Sequence, residues 1–417
     1  MQADSIVLGA GIVGVSVALH LQMRGRNTVL VDRRGAGEET SYGNAGLIQR
    51  EGVLPHSFPQ GLGALFRYGL SNRTDMHYHL AALPRIAPFL AQYWWHSRPD
   101  SYRRIVTAYA PLIAAAVSEH APLIERAGAD DLIERKGWYL LYRNAKDRDE
   151  AFAEAEWLQR DFGVGHEKVE NAAMRAREPG LGIDLAGALH WTDPWSIRDP
   201  GGLVKRYLKL FESLGGTFVN ADAMRLTARA SGAGWRLPVA DGVVEARDVV
   251  IALGPWAGDL TEQLGYRLPL GVKRGYHMHY GQPAARPLSN WILDAEYGYL
   301  LTPMVKGIRL TSGAEFALRD APSTPVQVDR DEVFARELFP GLGGRVEAEP
   351  WRGARPATPD MMPIIGPAPR HKDLWFAFGH AHHGMTLGPA TGRLIAEMMS
   401  GETPFIDPGA FSATRFL

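Results

Sequence analysis

Three glycines near the start of the chain and one aspartate on the following strand have the spacing needed to bind a dinucleotide. Gly9, Gly11 and Gly14 form a G-x-G-x-x-G pattern. In such a pattern the first glycine permits a tight turn, the second lets the backbone approach a pyrophosphate, and the third allows close helix–strand packing. Asp32 lies where an acid that binds a ribose hydroxyl is expected. The chemistry predicted here is recognition of a pyrophosphate and a ribose.

The elements around these residues follow a β-α-β order. Residues 5–8 are typical of a buried strand, a helix should extend to about Gly25, and residues 28–31 form a second strand. The helix would direct its free N–H groups and the positive end of its dipole toward the pyrophosphate. We therefore predict a bound dinucleotide rather than a glycine turn without a ligand. The pattern leaves NAD and FAD open, and Arg33 and Arg34 are expected in a solvated charge pair rather than on the 2′-phosphate of NADP.

Composition excludes several classes of protein. The 417 residues include 45 Lys and Arg, 46 Asp and Glu, and no Cys. Disulfides, a thiol nucleophile and thiolate metal sites are therefore impossible, and the charge balance argues against a nucleic-acid partner. The apolar run 6–21 is short for a membrane span and has no basic residue before it. We expect a soluble, cytoplasmic protein.

Nucleotide-type segments occur at the start, in the middle and at the end of the chain. A second glycine turn follows a strand near residue 251, and a third follows residues 374–377. Between them, residues 61–128 have helical periodicity, and residues 268–345 alternate as in an antiparallel sheet. We predict a discontinuous nucleotide-binding domain (1–60, 145–265 and 346–417) and a substrate domain with a helical insert (61–144 and 266–345).

Four motifs, in order, resemble the FAD-dependent D-amino acid oxidase superfamily, especially bacterial D-amino acid dehydrogenases and glycine oxidases. They are GAGIVG with TSYGNAGLI (40–48), ALGPWAG (252–258), WRGARPATPDMMPIIG (351–366) and GHAHHGMTLGPATG (379–392). The resemblance implies an α/β fold, with a Rossmann-like FAD-binding domain interleaved with an α+β domain built on a mostly antiparallel sheet. It also implies non-covalent FAD, and the lack of Cys excludes a cysteinyl link.

The resemblance assigns cofactor contacts to the glycine turns, the 40–48 loop and the last helix. That helix is expected to begin near Gly388 with Pro389 in its first turn, where a missing N–H costs nothing. The expected cofactor contacts are Gly9, Gly11, Ile12, Val13, Gly14, Asp32, Arg33, Ser41, Asn44, Ala45, Gly46, Leu47, Gly254, Trp256, Gly384, Met385, Thr386 and Leu387.

Two arginines are candidates for binding a substrate carboxylate, because a guanidinium can form two parallel hydrogen bonds to it. By resemblance Arg355 is the first choice and Arg274 the second, and the alternative for Arg355 is an ion pair with Asp360. Tyr299 could add a phenol hydrogen bond to the carboxylate.

His383 is expected to polarise the flavin or orient the substrate. It belongs with His380 and His382 to a trio on the closing glycine loop. We predict no metal, since no nearby carboxylate would complete a ligand set.

The predicted reaction is oxidation of the C–N bond of a small amino acid, most readily a D-amino acid, by hydride transfer to flavin N5. Alternatives are the same reaction on a secondary amine, such as an N-substituted glycine or hydroxyproline, and a non-catalytic flavin-binding subunit. Oxygen and a respiratory quinone both stay open as electron acceptor. Residues 84–99 would form a buried helix, a subunit contact or a peripheral contact with the inner face of the membrane.

Overall fold

The computed structural model describes residues 1–60, 76–229 and 232–417. The α-helices within these ranges are α1 (Ile12–Met23), α2 (Leu83–His96), α3 (Pro99–Ala114), α4 (Ala116–Arg126), α5 (Ala145–Phe162), α6 (Asn171–Arg177), α7 (Pro200–Ser213), α8 (Ala257–Gln263), α9 (Val326–Leu338) and α10 (Gly384–Met399). The strands are β1 (Gln2–Leu8), β2 (Thr28–Asp32), β3 (Leu47–Ile48), β4 (Met76–Tyr78), β5 (Ile133–Glu134), β6 (Trp138–Tyr142), β7 (His166–Val169), β8 (Gly187–Trp191), β9 (Trp195–Ile197), β10 (Thr217–Asn220), β11 (Thr227–Ala228), β12 (Trp235–Val239), β13 (Gly242–Ile251), β14 (Gly271–Tyr280), β15 (Ile292–Asp294), β16 (Tyr299–Met304), β17 (Gly307–Thr311), β18 (Ala314–Phe316), β19 (Trp351–Ala357), β20 (Ile364–Pro367) and β21 (Leu374–Phe378).

The first sheet has eight strands in the order β10-β2-β1-β13-β12-β11, with β21 beside β13 and β20 beside β21. Strands β10, β2, β1, β13 and β21 pair in parallel. Parallel strands end at the same edge of a sheet, so the turns that follow β1, β13 and β21 lie close together. Three glycine turns that are far apart in the sequence therefore meet at one edge of this sheet.

The second sheet has ten strands and is mostly antiparallel. Its order is β4-β18-β14-β17-β16-β15-β6-β8-β7, and β19 pairs with β14. The predicted α/β architecture with a mostly antiparallel second sheet is confirmed. Strands β7 and β8 belong to this second sheet, beside β6. The predicted domain boundaries instead place them, within residues 145–265, in the nucleotide-binding domain. A small sheet, β3-β9-β5, lies between distant segments of the chain.

Helices α1 and α10 pack against each other across a seam of small residues. A Cβ at Gly392 would lie 2.6 Å from the backbone of Ser16, and a Cβ at Gly388 would lie 2.8 Å from Ile12 Cγ1. These two glycines, which we expected in a cofactor segment, therefore allow two helices to approach. The seam fixes where α1 begins relative to α10.

Two stretches differ from the sequence-based expectation. Helix α9 interrupts residues 268–345, which were predicted as sheet throughout. In α2 the helix continues through Pro88, although an interior proline usually ends or kinks a helix. The proline removes one bond to the carbonyl of Pro84, and this carbonyl lies in an exposed first turn where water can bond to it. The part of the predicted helical stretch at 61–75 lies outside the described residues.

No helix in the described ranges combines the length and the apolar composition needed to cross a bilayer.

Candidate active site

A cavity of about 770 Å³ extends from the turn after β1 to strands β14 and β19. We call its two ends the Gly9 end, which contains the β1–α1 turn and Asp32, and the Arg355 end, which contains residues of β14 and β19. Most of the predicted site residues line this cavity: Gly9, Gly11, Ile12, Val13, Asp32, Arg33, Ser41, Asn44, Ala45, Leu47, Gly254, Trp256, Arg355, Gly384 and Met385.

The turn at the Gly9 end requires its glycines. Gly9 has φ +104°, and a Cβ there would lie 2.4 Å from the carbonyl oxygen of Ala252. A Cβ at Gly14 would overlap the carbonyl oxygen of Gly9 at 1.8 Å, so the first turn of α1 packs directly on the turn that follows β1. At Gly11 a Cβ would meet Ser41 Oγ alone, at 3.2 Å. The backbone at Gly11 therefore faces the cavity at the start of a helix, which fits a pyrophosphate.

Asp32 stabilises the same turn. Its carboxylate accepts hydrogen bonds from the N–H of Ala10 at 2.7 Å and from the N–H of Arg34 at 3.0 Å. Burial raises the pKa of Asp32. Each carboxylate oxygen keeps a further lone pair for a ribose hydroxyl, so the residue can do what the sequence predicts and also hold the turn.

Arg33 forms the predicted charge pair. Its Nη2 lies 3.0 Å from Glu39 Oε1, and its guanidinium lies 4.3 Å from the ring centre of Trp256. Arg34 contacts the same carboxylate at 3.2 Å. Arg33 and Trp256 line the Gly9 end of the cavity, and Arg34 does not.

Helix α10 begins at Gly384, four residues earlier than we expected. Pro389 is thus an interior residue of the helix and not part of its first turn, so that expectation was wrong. Because Pro389 has no N–H, the carbonyl of Met385 lacks its usual helical partner. The Nε2 of buried His120 donates to this carbonyl at 2.8 Å. An imidazole from α4 therefore replaces the missing backbone bond.

Four predicted cofactor contacts lie behind the cavity wall: Gly14, Gly46, Thr386 and Leu387. Thr386 Oγ1 donates to the carbonyl of Leu47 at 3.2 Å and accepts from the N–H of Gln49 at 3.2 Å. It therefore ties α10 to the loop beside the cavity. A direct cofactor contact from these four residues stays a prediction.

Arg355 reaches the cavity from β19, and its guanidinium is only partly engaged. Its Nη1 donates to the carbonyls of Arg274 and Gly313, both at 3.3 Å. Among the described residues it has no carboxylate partner. Asp360, the alternative partner considered from the sequence, is paired with Arg415 at 2.8 Å. The remaining N–H groups of Arg355 are available to a carboxylate in the cavity.

Arg274 faces the other side of the same strand pair, which corrects our second choice. It is fully buried, and Nε donates to Glu315 at 2.5 Å. Its Nη1 and Nη2 donate to the Tyr276 hydroxyl and to the carbonyls of Leu318, Ala321 and Pro322. This guanidinium has no donor left for a substrate carboxylate. Arg274 holds the 315–324 segment instead.

Tyr299 is also outside the cavity lining. Its hydroxyl donates to Asp294 Oδ2 at 3.1 Å, and the same carboxylate pairs with Arg143 at 2.8 Å. Burial raises the pKa of Tyr299. The tyrosine belongs to a buried ionic network of the second sheet, so the structure does not bring it together with Arg355.

Three histidine rings lie in a row at the Arg355 end, tilted relative to one another; His56 and His382 line the cavity, and the predicted site residue His383 does not. The ring of His382, which lines the cavity, lies 4.2 Å from that of His56 and 3.7 Å from that of His383. His383 Nδ1 is hydrogen-bonded to the Tyr109 hydroxyl at 2.7 Å. Its Nε2 is buried and has no partner among the described residues. Burial lowers the pKa of His383 to about 3, so this imidazole is neutral near pH 7.

One potential metal-ligand group occurs in the described part of the chain, and it includes none of His380, His382 and His383, where we predicted no metal. The ligand atoms of His77, His79 and Glu315 lie within 4.8 Å of one another. Glu315 is already bonded to Arg274 and to the Tyr276 hydroxyl. The carboxylate is therefore committed to a protein network.

The cation next to Arg355, Lys273, was not among the residues predicted from the sequence. Lys273 lies directly opposite Arg355 in the β14–β19 register and lines the cavity. The segment VKRG (272–275) contains a pattern that could have revealed it. Side chains of a strand alternate between the two faces of the sheet, so Lys273 and Arg274 must lie on opposite faces. Tyr93, which contacts Lys273, could not be found without the packing of α2 on the sheet.

The family of the chain is shown by comparison with known proteins. The model of the FAD dependent oxidoreductase (DAO) family matches residues 4–398. The chain belongs to this family, and the protein is an FAD-dependent enzyme.

Individual relatives agree over nearly full length. A D-amino-acid oxidase of Bradyrhizobium diazoefficiens is 31% identical, with 99% of this chain and 98% of the relative covered. A D-amino acid dehydrogenase of Granulibacter bethesdensis is 28% identical, with 99% of each chain covered. Among solved structures, glycine oxidase from Geobacillus kaustophilus superimposes with a TM-score of 0.74 at 21% identity, covering 100% of this chain and 99% of its own. This last likeness concerns the fold.

Proposed function

We propose that the protein oxidises the C–N bond of a small amino acid, most readily a D-amino acid, to an imino acid that water hydrolyses to a 2-oxo acid and ammonia. The observation that carries the proposal is a guanidinium without a carboxylate partner among the described residues, Arg355, in a cavity continuous with the dinucleotide turn. The similarity to a D-amino-acid oxidase over nearly the whole chain supports the D configuration.

The residues of the Arg355 end would bind and orient the substrate. When bound, FAD supplies the acceptor for a hydride equivalent from the substrate α-carbon. The guanidinium of Arg355 would hold the α-carboxylate with two parallel hydrogen bonds. His382, whose pKa burial lowers well below its usual value, would offer a neutral acceptor nitrogen to the amino group. Holding the carboxylate and the amino group in place would orient the α-hydrogen for transfer. Such orientation lowers the activation barrier of the reaction.

Anaerobic titration of the holoenzyme tests this proposal without any assumption about the electron acceptor. The flavin absorbance near about 450 nm is followed while D-alanine, L-alanine, N-methylglycine or D-proline is added. We expect bleaching with the D-amino acid and little with its L enantiomer.

Each other outcome points elsewhere. Bleaching by N-methylglycine in preference to D-alanine would assign the same chemistry to secondary amines. No bleaching by any amino acid or amine would contradict the proposal and favour a non-catalytic flavin-binding subunit.

A further inference from the structure

Two positively charged side chains start from paired positions on neighbouring strands and extend in different directions along the cavity. Lys273 and Arg355 are register partners on β14 and β19. The guanidinium of Arg355 extends over Gly275 toward the carbonyl of Gly313. The ammonium of Lys273 extends the other way, to the hydroxyl of Tyr93 at 3.0 Å. The cavity wall therefore presents two separate positive groups rather than one.

The ammonium of Lys273 is held in place but not neutralised. Its Nζ donates to Tyr93 and lies 3.6 Å from Met361 Sδ. The Tyr93 hydroxyl in turn donates to the carbonyl of His56 at 2.6 Å, which directs an oxygen lone pair toward the lysine. An ammonium has three donors, so at least one is left for a ligand.

The carboxylates of the cavity wall lie in other segments. They end or follow β2, follow β10 or belong to α8, all around the edge of the first sheet: Asp32, Glu38, Glu39, Asp222 and Asp259. At the Arg355 end, the described residues that line the cavity include two cations and no carboxylate. The rest of that wall is aromatic or neutral, and it includes Phe58, Tyr78, Tyr93 and Phe316. Two half-buried positive charges without a neighbouring anion are complementary to a dianion.

We propose that the preferred substrate is an amino acid with a second carboxylate in its side chain, held by Lys273 while Arg355 holds the α-carboxylate. This inference rests on the proposed function and adds a substrate class to it. A side chain of one or two methylenes would lie along the aromatic wall and carry its carboxylate to the lysine. D-Aspartate and D-glutamate have this chemistry.

The charge state of Lys273 agrees with a site that is completed by an anion. Burial, together with the neighbouring Arg355, lowers the pKa of Lys273 to about 7. The other titratable groups near it are His56, His382 and Tyr93. Desolvation in the cavity favours the neutral form of His56 and His382, and burial favours that of Tyr93. A carboxylate at Nζ would favour the ammonium form, so the dianion should bind with uptake of a proton near neutral pH.

The test compares each acid with its amide, which has nearly the same shape but no second charge. The efficiency of anaerobic flavin reduction is measured for D-glutamate against D-glutamine and for D-aspartate against D-asparagine. In the wild-type holoenzyme we expect the acid to be preferred by at least about tenfold, the range of a charged hydrogen bond. Lys273→Met should lower that preference at least about tenfold, because the efficiency falls with the acid and not with the amide. Lys273→Arg should retain it, and Lys372→Met, an exposed lysine outside the cavity wall, should match wild type.

The wild-type comparison requires no variant to fold. Equal reduction by acid and amide, with the ratio unchanged in Lys273→Met, would overturn the inference and leave the proposed function intact. An equal loss with both substrates would also overturn it, because Lys273 would then serve a group that all amino acids share. Failure of every amino acid to reduce the wild-type flavin would overturn both proposals.

Discussion

The orientation of single residues on β14 decides which of them can meet a substrate. Lys273 and Gly275 face the cavity together with Arg355, whereas Arg274 between them is buried on the opposite side. Gly275 has a specific role there. A Cβ at this position would lie 2.5 Å from Arg355 Nη1, so the guanidinium occupies the space that a side chain would take.

Gly275→Ala should therefore impair substrate binding more than stability. The methyl group displaces the end of a flexible side chain rather than the backbone, so we expect a small change in melting temperature. A shift of the guanidinium by about 1 Å should lower the efficiency of flavin reduction about 10- to 100-fold. Gly344→Ala, where a Cβ would meet nothing within 4 Å, is the matched control. Wild-type efficiency in Gly275→Ala would show that Arg355 is not held as described.

Glu51 is a buried carboxyl group next to the cavity wall. Its Oε1 accepts from Trp138 Nε1 at 2.9 Å and from Gln49 Nε2 at 3.0 Å. Its Oε2 has no partner among the described residues. Burial raises the pKa of Glu51 from 4.5 to about 7, so the folded protein holds this proton more tightly than the unfolded chain.

The stability that Glu51 contributes is therefore complete below about pH 4.5 and is lost as pH rises through about 7. Glu51→Gln cannot ionise and retains an oxygen acceptor for the two donors. With saturating FAD, the variant should gain stability relative to wild type between pH 5 and pH 8, by at most about 3 kcal/mol. Glu212→Gln, at an exposed position on α7, should show no such trend. A stability difference that does not change with pH would mean that Glu51 is not protonated in the fold.

At the scale of elements, the site depends on how closely α1 and α10 approach. Gly392 faces the backbone of Ser16, and both helices begin at the cavity. A displacement of one helix would move the start of the other. The seam therefore links packing in the core to the shape of the dinucleotide cradle.

Gly392→Ala should separate the helices and destabilise the protein, because the new methyl group would meet backbone atoms at 2.6 Å. Overpacking of this kind typically lowers the free energy of unfolding by about 1–3 kcal/mol. Gly258→Ala on α8 is the control, since its Cβ would lie 3.9 Å from the nearest atom and the residue does not line the cavity. Thermal unfolding of both variants with FAD present checks the expectation. Equal melting temperatures would argue against the close seam.

Sequence patterns predicted elements well where local chemistry determines them. The strand–glycine–helix order at Gly9 and the glycine turns after β13 and β21 follow from periodicity and turn residues. The beginning of α10 was predicted four residues late because Pro389 was taken as a first-turn proline. An imidazole from a distant helix, His120, satisfies the carbonyl that this proline leaves free, and such a partner is invisible to local rules. The same limit applies to Arg274, because four of its five donors are bonded to residues 315–322, far along the chain.

For the whole molecule, three distant segments meet at one sheet edge and a second sheet closes the cavity. The parallel strands β1, β13 and β21 bring the glycine turns together. Strand β14 supplies Lys273, and strand β19 supplies Arg355. This arrangement makes the cofactor cradle and the cationic wall parts of one cavity. The central claim is that Arg355 holds the carboxylate of the amino acid that is oxidised.

Anaerobic stopped-flow reduction of the flavin in Arg355→Ala tests that claim most directly, with Arg352→Ala as the matched control. Arg352 is an exposed arginine three residues away on the same strand and does not line the cavity. We predict that Arg355→Ala still binds FAD but loses at least about 100-fold in reduction efficiency with D-amino acids. The control should behave as wild type. Reduction of Arg355→Ala with near-wild-type efficiency would contradict the account.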